Sequence, residues 1–130
     1  MTISNPRQRT ILVVDDSTSV RRLVVATLQA AGYQTLEGDN GATALRHLDG
    51  QRIDMIISDV NMGVMDGIEF TRRVRRTPGY DRTPLVMFTT ESSPEMKDKG
   101  RLAGATGWMV KPFHPDTLLK VVTRVLPQGS

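Results

Sequence analysis

Apolar residues fall along this chain in two alternating rhythms. Four short runs, ILVV (11–14), MIIS (55–58), LVMF (85–88) and GWMV (107–110), are continuous or nearly so, the pattern of strands covered on both faces. A fifth, YQTLEG (33–38), mixes polar and apolar residues and suits an edge strand. Between these runs the apolar positions move to helical spacing. Val20, Leu23, Val24, Thr27, Leu28 and Ala31 mark a first helix that Gly32 stops. Ala44, Leu45 and Leu48 follow an Asn40 cap. Asp66 and Glu69 stand in capping-box spacing at the head of a third helix that ends before Pro78, and Ser92 and Glu95 do so for a fourth. Pro115 takes a first-turn position in a fifth, which buries Leu118, Val122 and Val125.

A strand followed by a helix, five times over, predicts an α/β domain with a doubly wound parallel sheet and helices on both faces. The 130 residues suffice for one domain, 1–130, with its own core. Only the ends, Met1–Arg9 and Pro127–Ser130, read as frayed, leaving an ordered core of about 9–127. The fourth helix stands apart. PEMKDKGRLAG has few apolar anchors and an internal glycine, Gly100, which costs about 1 kcal/mol against alanine. Such a helix is either a defect or a moving part.

Composition narrows the function classes. The absence of cysteine removes disulfides and thiolate metal sites and fits a reducing compartment. No apolar run approaches the ~20 residues that span a bilayer, and the opening MTISNPRQRT lacks the apolar region of a signal peptide. A cytoplasmic protein without membrane contact is expected. The net charge of +3 and pI of about 9.7 are carried mostly by arginine. The densest basic patch, TRRVRR (71–76), has no interleaved aromatics to stack on bases. It reads as the solvated face of a helix, with no nucleic-acid partner.

The chemistry gathers at strand ends. Open parallel sheets bind ligands beyond the carboxyl ends of their strands. There this chain places Asp15 and Asp16 after the first strand, Asp59 after the third, Thr89 after the fourth and Lys111 after the fifth. Each has an ordinary explanation on its own. Asp15 or Asp16 can cap a helix, although Ser17 and Thr18 can too; Asp59 can begin a turn; Thr89 can be a plain strand-end residue, and Lys111 a surface lysine. The set is harder to explain that way. Unit charges about 4 Å apart interact by roughly 4 kcal/mol at an effective dielectric of 20, so three carboxylates at one rim either hold a proton or require a cation. Oxygen ligands without Cys or His favour Mg²⁺ (or Mn²⁺) over zinc. His47 and His114 form no metal-binding spacing with each other.

The motifs ILVVDDS, IISDVNMGVMDG, FTTES and GWMVKPF, in this order and spacing, resemble the receiver domain of two-component response regulators over almost the whole chain. The resemblance implies a flavodoxin-like sheet of strand order 2-1-3-4-5. It implies that Asp59 is the phosphoacceptor, served by a sensor histidine kinase. Mg²⁺ would be held by Asp16 directly, by Asp15 largely through water, by Asp59, and by the backbone carbonyl of Asn61. Thr89 and Lys111 would contact the phosphoryl oxygens, and Thr89 with Trp108 would form the switch, Trp108 turning inward on phosphorylation. The Lys111–Pro112 bond would be cis. Two positions depart from the family pattern: Gly63 replaces a common proline, and Trp108 is bulkier than the tyrosine often found there.

TTESSPEMKDKGRLAGATGWMVKPFHP further resembles the stand-alone chemotaxis regulators that bind the flagellar motor switch when phosphorylated. With no output domain attached, the signal is expected to leave through the surface of a monomer. The protein would then be no enzyme beyond its own phosphotransfer and autodephosphorylation. The alternatives are a single-domain phosphorelay shuttle or phosphate sink, served by a histidine-phosphotransfer protein, and, more remotely, a Mg²⁺-dependent phosphohydrolase. A hydrolase of the haloacid type carries Asp-x-Asp at its nucleophile, whereas Asp59 is followed by Val60 and Asn61.

Overall fold

All five apolar runs become strands of one parallel sheet in the computed structural model, which describes residues 9–126. They are β1 (Thr10–Val14), β2 (Gln34–Gly38), β3 (Met55–Ser58), β4 (Leu85–Thr89) and β5 (Gly107–Val110), in the order β2-β1-β3-β4-β5. The helices are α1 (Thr18–Ala30), α2 (Gly41–Leu45), α3 (Gly67–Arg76), α4 (Pro94–Ala103) and α5 (Pro115–Val125). This is the flavodoxin-like order that the resemblance implied. The fraying expected of the ends concerns mostly residues outside the described ones. Arg9, counted with the frayed end, in fact accepts the Gln34 N–H through its carbonyl at 2.9 Å.

Side chains alternate across a strand, so each run feeds two cores. Ile11, Val13, Met55, Ile57, Val86 and Phe88 meet Val24 and Leu28 of α1 and Leu118 and Val122 of α5 on one face. Leu12, Val14, Ile56, Leu85 and Met87 meet Ala44 of α2 and Phe70 and Val74 of α3 on the other. Every residue of β3 and β4 is buried, while β2 is half exposed at the edge. That exposure suits the mix of polar and apolar residues in YQTLEG, whereas β5, at the opposite edge, keeps an apolar run although only Met109 in it is buried.

Local chemistry sets the helix starts, and it corrects four readings. Ser17 caps α1 by accepting the Val20 N–H, which leaves Asp15 and Asp16 without a capping task. The buried stripe of α1 runs through Val24, Val25 and Leu28. Leu23, expected inside, is 53% exposed because the helix is rotated by part of a turn from the predicted face. Ser93, not Ser92, caps α4 and accepts the Met96 N–H at 3.2 Å. Pro94 dictates this: it sits at the first helical position and forces its predecessor to be extended. In α3, Asp66 accepts the Glu69 N–H at 2.8 Å, but Glu69 turns its own carboxylate to Arg72 and Arg73, making half a capping box. α2 ends at Leu45, so Leu48 lies beyond it and packs from the following loop.

The arginine patch divides. Arg72, Arg73 and Arg76 are solvated as expected. Arg75 is not: it folds back to donate to the carbonyls of Gly104 (2.7 Å), Thr83 (2.6 Å) and Tyr80 (3.2 Å). It thereby ties the C-terminal end of α4 to α3 and the start of β4.

Candidate functional site

The strand ladder continues one residue past β1 and β3. Asp15 N–H donates to Gly38 O at 3.1 Å and Asp59 N–H to Val14 O at 3.0 Å. These bonds fix the two aspartates at neighbouring positions on the rim. Lys111 N–H likewise reaches Thr89 O at 2.8 Å, and the Lys111–Pro112 bond that follows is cis. Asp15, Asp59 and Lys111 fall on the same alternation as the side chains facing α1 and α5. Thr89 and Trp108 fall on the other.

The charged groups converge. One carboxylate oxygen each from Asp15, Asp16 and Asp59 lies within 4.8 Å of the others. Lys111 Nζ bridges two of these residues, 2.7 Å from Asp59 Oδ2 and 3.0 Å from Asp15 Oδ2. Asp59 Oδ1 accepts the N–H groups of Val60 (2.6 Å) and Asn61 (3.2 Å), so both of its oxygens are held. Asp15 Oδ1 accepts the Ser17 N–H at 2.9 Å. Asp15 and Asp59 are buried, whereas Asp16 is exposed. Among the described residues the Asp16 carboxylate has no hydrogen-bond or ion-pair partner.

Burial pushes the Asp15 carboxyl above its usual range, outweighing the opposing pull of the Ser17 N–H and Lys111, and the neighbouring Asp59 charge adds to the rise. Burial draws the Lys111 ammonium down, but its bonds to Asp59 and Asp15 more than offset that and hold it above the ordinary lysine range. Lys111 therefore stays charged. It leaves the ionised cluster with two surplus negative charges, three carboxylates against one ammonium, which is the charge of a divalent cation. The donor set is entirely oxygen, with one ligand free to turn, and this fits a hard cation of the Mg²⁺ type.

A second chain of contacts leaves the rim toward α4. Thr89, fully buried, accepts the Glu91 N–H on its hydroxyl at 3.3 Å. Glu91 in turn accepts the Trp108 indole N–H on its carbonyl at 2.8 Å. The indole packs beneath α4 at Gly100, where an added Cβ would come within 2.6 Å of Trp108 Cζ3. Gly100, a weakness on the propensity scale, is thus the residue that admits the ring. Trp108 is partly buried in this position, with its large ring accommodated by the missing Cβ.

Sequence reasoning missed Gly67 and Arg21, and it named Gly63 only as a departure from the family pattern. Gly67 is required where α3 begins, because a Cβ there would strike the Asp59 carbonyl oxygen. Gly63 adopts φ +80°, which a proline cannot take, so the loop after Asp59 follows a path reserved for glycine. Arg21 donates to the Asp15 carbonyl at 2.7 Å. Its signal was a cation in the first turns of α1, where the helix dipole disfavours positive charge.

An acid-lined rim on a 2-1-3-4-5 parallel sheet defines a receiver-type α/β domain. The chain belongs to the response regulator receiver domain family, whose model matches residues 11–123. It is 35% identical over 122 residues to a Campylobacter jejuni chemotaxis protein CheY homolog, covering 92% of this chain and 94% of that protein. It is 33% identical over 116 residues to the Vibrio cholerae autoinducer sensor kinase/phosphatase CqsS, of which it spans 17%. The structure of Vibrio cholerae CheY4 matches with a TM-score of 0.88 at 52% identity, over 91% of this chain and 98% of that one. The receiver domain of a Pseudomonas aeruginosa sensor histidine kinase, solved with a magnesium ion in its active-site cleft, matches with a TM-score of 0.82 at 27% identity, over 90% and 96%. Among the described residues, no helix is long and apolar enough to cross a membrane.

Proposed function

We propose that this chain is a phosphorylation-operated signalling switch that takes a phosphoryl group onto Asp59 from a phosphohistidine of a sensor kinase. The observation that carries this reading is the meeting of three carboxylates around one lysine, with Asp59 held at both oxygens. A carboxylate is a weak nucleophile, so the site's contribution is positioning and charge neutralisation. The Val60 and Asn61 N–H groups fix the orientation of Asp59 before the donor arrives. An oxygen of Asp59 then forms the new O–P bond as the N–P bond to the donor imidazole breaks and the imidazole keeps the electron pair. Lys111, released from Asp59 Oδ2, pairs with the transferred phosphoryl oxygens.

Asp16, Asp15, Asp59 and the Asn61 carbonyl would hold Mg²⁺, a reading supported by the magnesium in the similar Pseudomonas receiver. When bound, the ion neutralises charge on the phosphoryl oxygens. The acyl phosphate is removed by water in the same site, and the amide of Asn61, an exposed residue, would orient that water. Thr89, drawn toward the phosphoryl oxygens, strains its long bond to the Glu91 N–H. It thereby disturbs the carbonyl that holds Trp108, and with it the seat of α4.

The output we propose is binding to the flagellar motor switch, supported by the chemotaxis names of the relatives at 35% and 52% identity. A receiver acting this way turns over no external substrate. Phosphotransfer is tested by mixing a labelled histidine kinase with the wild type and with Asp59→Asn; label should pass only to the wild type. Output is tested with the beryllofluoride-treated protein. Capture by a motor-switch peptide supports the proposal, whereas capture by a histidine-phosphotransfer protein alone would make it a relay.

A further inference from the structure

We propose that Arg21 is a positioning residue for the cation site: it holds the Asp15–Asp16 peptide so that the Asp16 carboxylate is aimed at the cluster. The inference rests on the magnesium reading above.

Asp15 is tied down on every polar atom. Its carboxylate is taken by Ser17 and Lys111, and its N–H by Gly38 O at 3.1 Å. Its carbonyl accepts from Arg21 Nη1 at 2.7 Å. Asp16 has no such restraint on its side chain, so the backbone alone sets the point from which its carboxylate reaches the cluster, and the peptide that carries it is the one Arg21 grips. Arg21 is itself anchored, donating from Nε to Glu37 Oε1 at 2.9 Å, and its side chain is only 13% exposed. Glu37 and Gly38 both belong to β2. One end of β2 therefore braces Asp15 on both sides, directly through Gly38 and indirectly through Glu37 and Arg21.

A partly buried guanidinium beside a cation site acts in two opposite senses. As a charge it repels the cation; as a brace it pre-orients a ligand. Glu37 offsets the charge and leaves the brace. The two roles predict opposite results when Arg21 is removed, so the sign of the change decides between them.

The test is calorimetric titration of the full chain with Mg²⁺ alone, using wild type, Arg21→Ala, Arg21→Lys and Glu37→Gln. Thermal unfolding in chelator serves as the fold control. Arg21→Ala should weaken binding by about tenfold, the lower end of the ~10–100-fold typical when a group holding a metal ligand is lost, without a matching loss of stability in chelator. Arg21→Lys, which can reach either the Asp15 carbonyl or Glu37 but not both, should recover part of the affinity. Glu37→Gln should weaken binding by a smaller factor. Unchanged or tighter binding by Arg21→Ala overturns the proposal. Should Arg21→Ala fail to fold, Glu37→Gln decides, and unchanged affinity there overturns it equally. If the wild type itself takes up no Mg²⁺, the cation reading falls as well; if the wild type binds and Arg21→Ala binds as well, this inference falls alone.

Discussion

Lys111 is the residue on which the resting state of the cluster depends. Its ammonium lies against Asp59 and Asp15 with only 15% of the side chain exposed, and removing one partner from a buried ion pair costs far more than the pair contributes. Lys111→Met should lower the unfolding free energy in magnesium-free buffer by roughly 3 kcal/mol, read by urea denaturation, and added Mg²⁺ should restore much of the loss. The pH dependence follows from the two raised groups. For Lys111, a raised value on folding means its contribution is complete below the ordinary lysine value of about 10.4 and is lost as pH rises through the folded value. For Asp15 the sign is unusual for a carboxyl. Its value is raised, mainly by burial, so the folded protein takes up the proton first as pH falls from neutral. The Asp15 contribution to stability in chelator should therefore increase as pH falls toward the ordinary aspartate value of about 3.9. Magnesium affinity should weaken over the same interval, because the ion must displace that proton. Melts in chelator and calorimetric titrations across this range check both.

At the scale of elements, α4 carries the most specific expectation. Gly100→Ala should stabilise an ordinary exposed helix by about 1 kcal/mol. Here the new methyl group meets the rigid indole of Trp108 rather than a flexible chain end, and overpacking of this kind typically costs about 1–3 kcal/mol. The net effect should be a lower melting temperature, with a change in the fluorescence of Trp108, the protein's single tryptophan. The elements themselves were legible because β1, β3 and β4 are covered on both faces and leave unbroken apolar runs, while edge strand β2 does not. Details that depend on tertiary contact were less legible. Periodicity alone does not distinguish Leu23 from Val25 on α1, since both lie near one stripe and only the packing partner selects between them. Ser92 and Ser93 both offer a capping hydroxyl, and Pro94 was the overlooked arbiter. Arg75 looked like its neighbours in TRRVRR because the carbonyls it binds belong to segments distant in the chain.

For the molecule as a whole, the parallel topology is what makes a cluster from residues 15, 16, 59 and 111. Every strand of a parallel sheet ends on the same edge, so polar residues closing separate apolar runs meet without any local signal joining them. That convergence was legible in the sequence. The braces around it were not: Arg21 grips a backbone carbonyl, Glu37 steadies Arg21 from another strand, and Glu91 acts through its own carbonyl, so none of them forms a motif. In the function proposed here, this rim activates Asp59 toward phosphoryl transfer with the help of a divalent cation. The most direct measurement is the intact mass of the protein after incubation with acetyl phosphate and Mg²⁺. One added phosphoryl group is predicted for the wild type, and none for Asp59→Asn or for wild type in excess chelator. An equal mass gain in Asp59→Asn would place the acceptor elsewhere, and a gain undiminished by chelator would remove the cation from the mechanism.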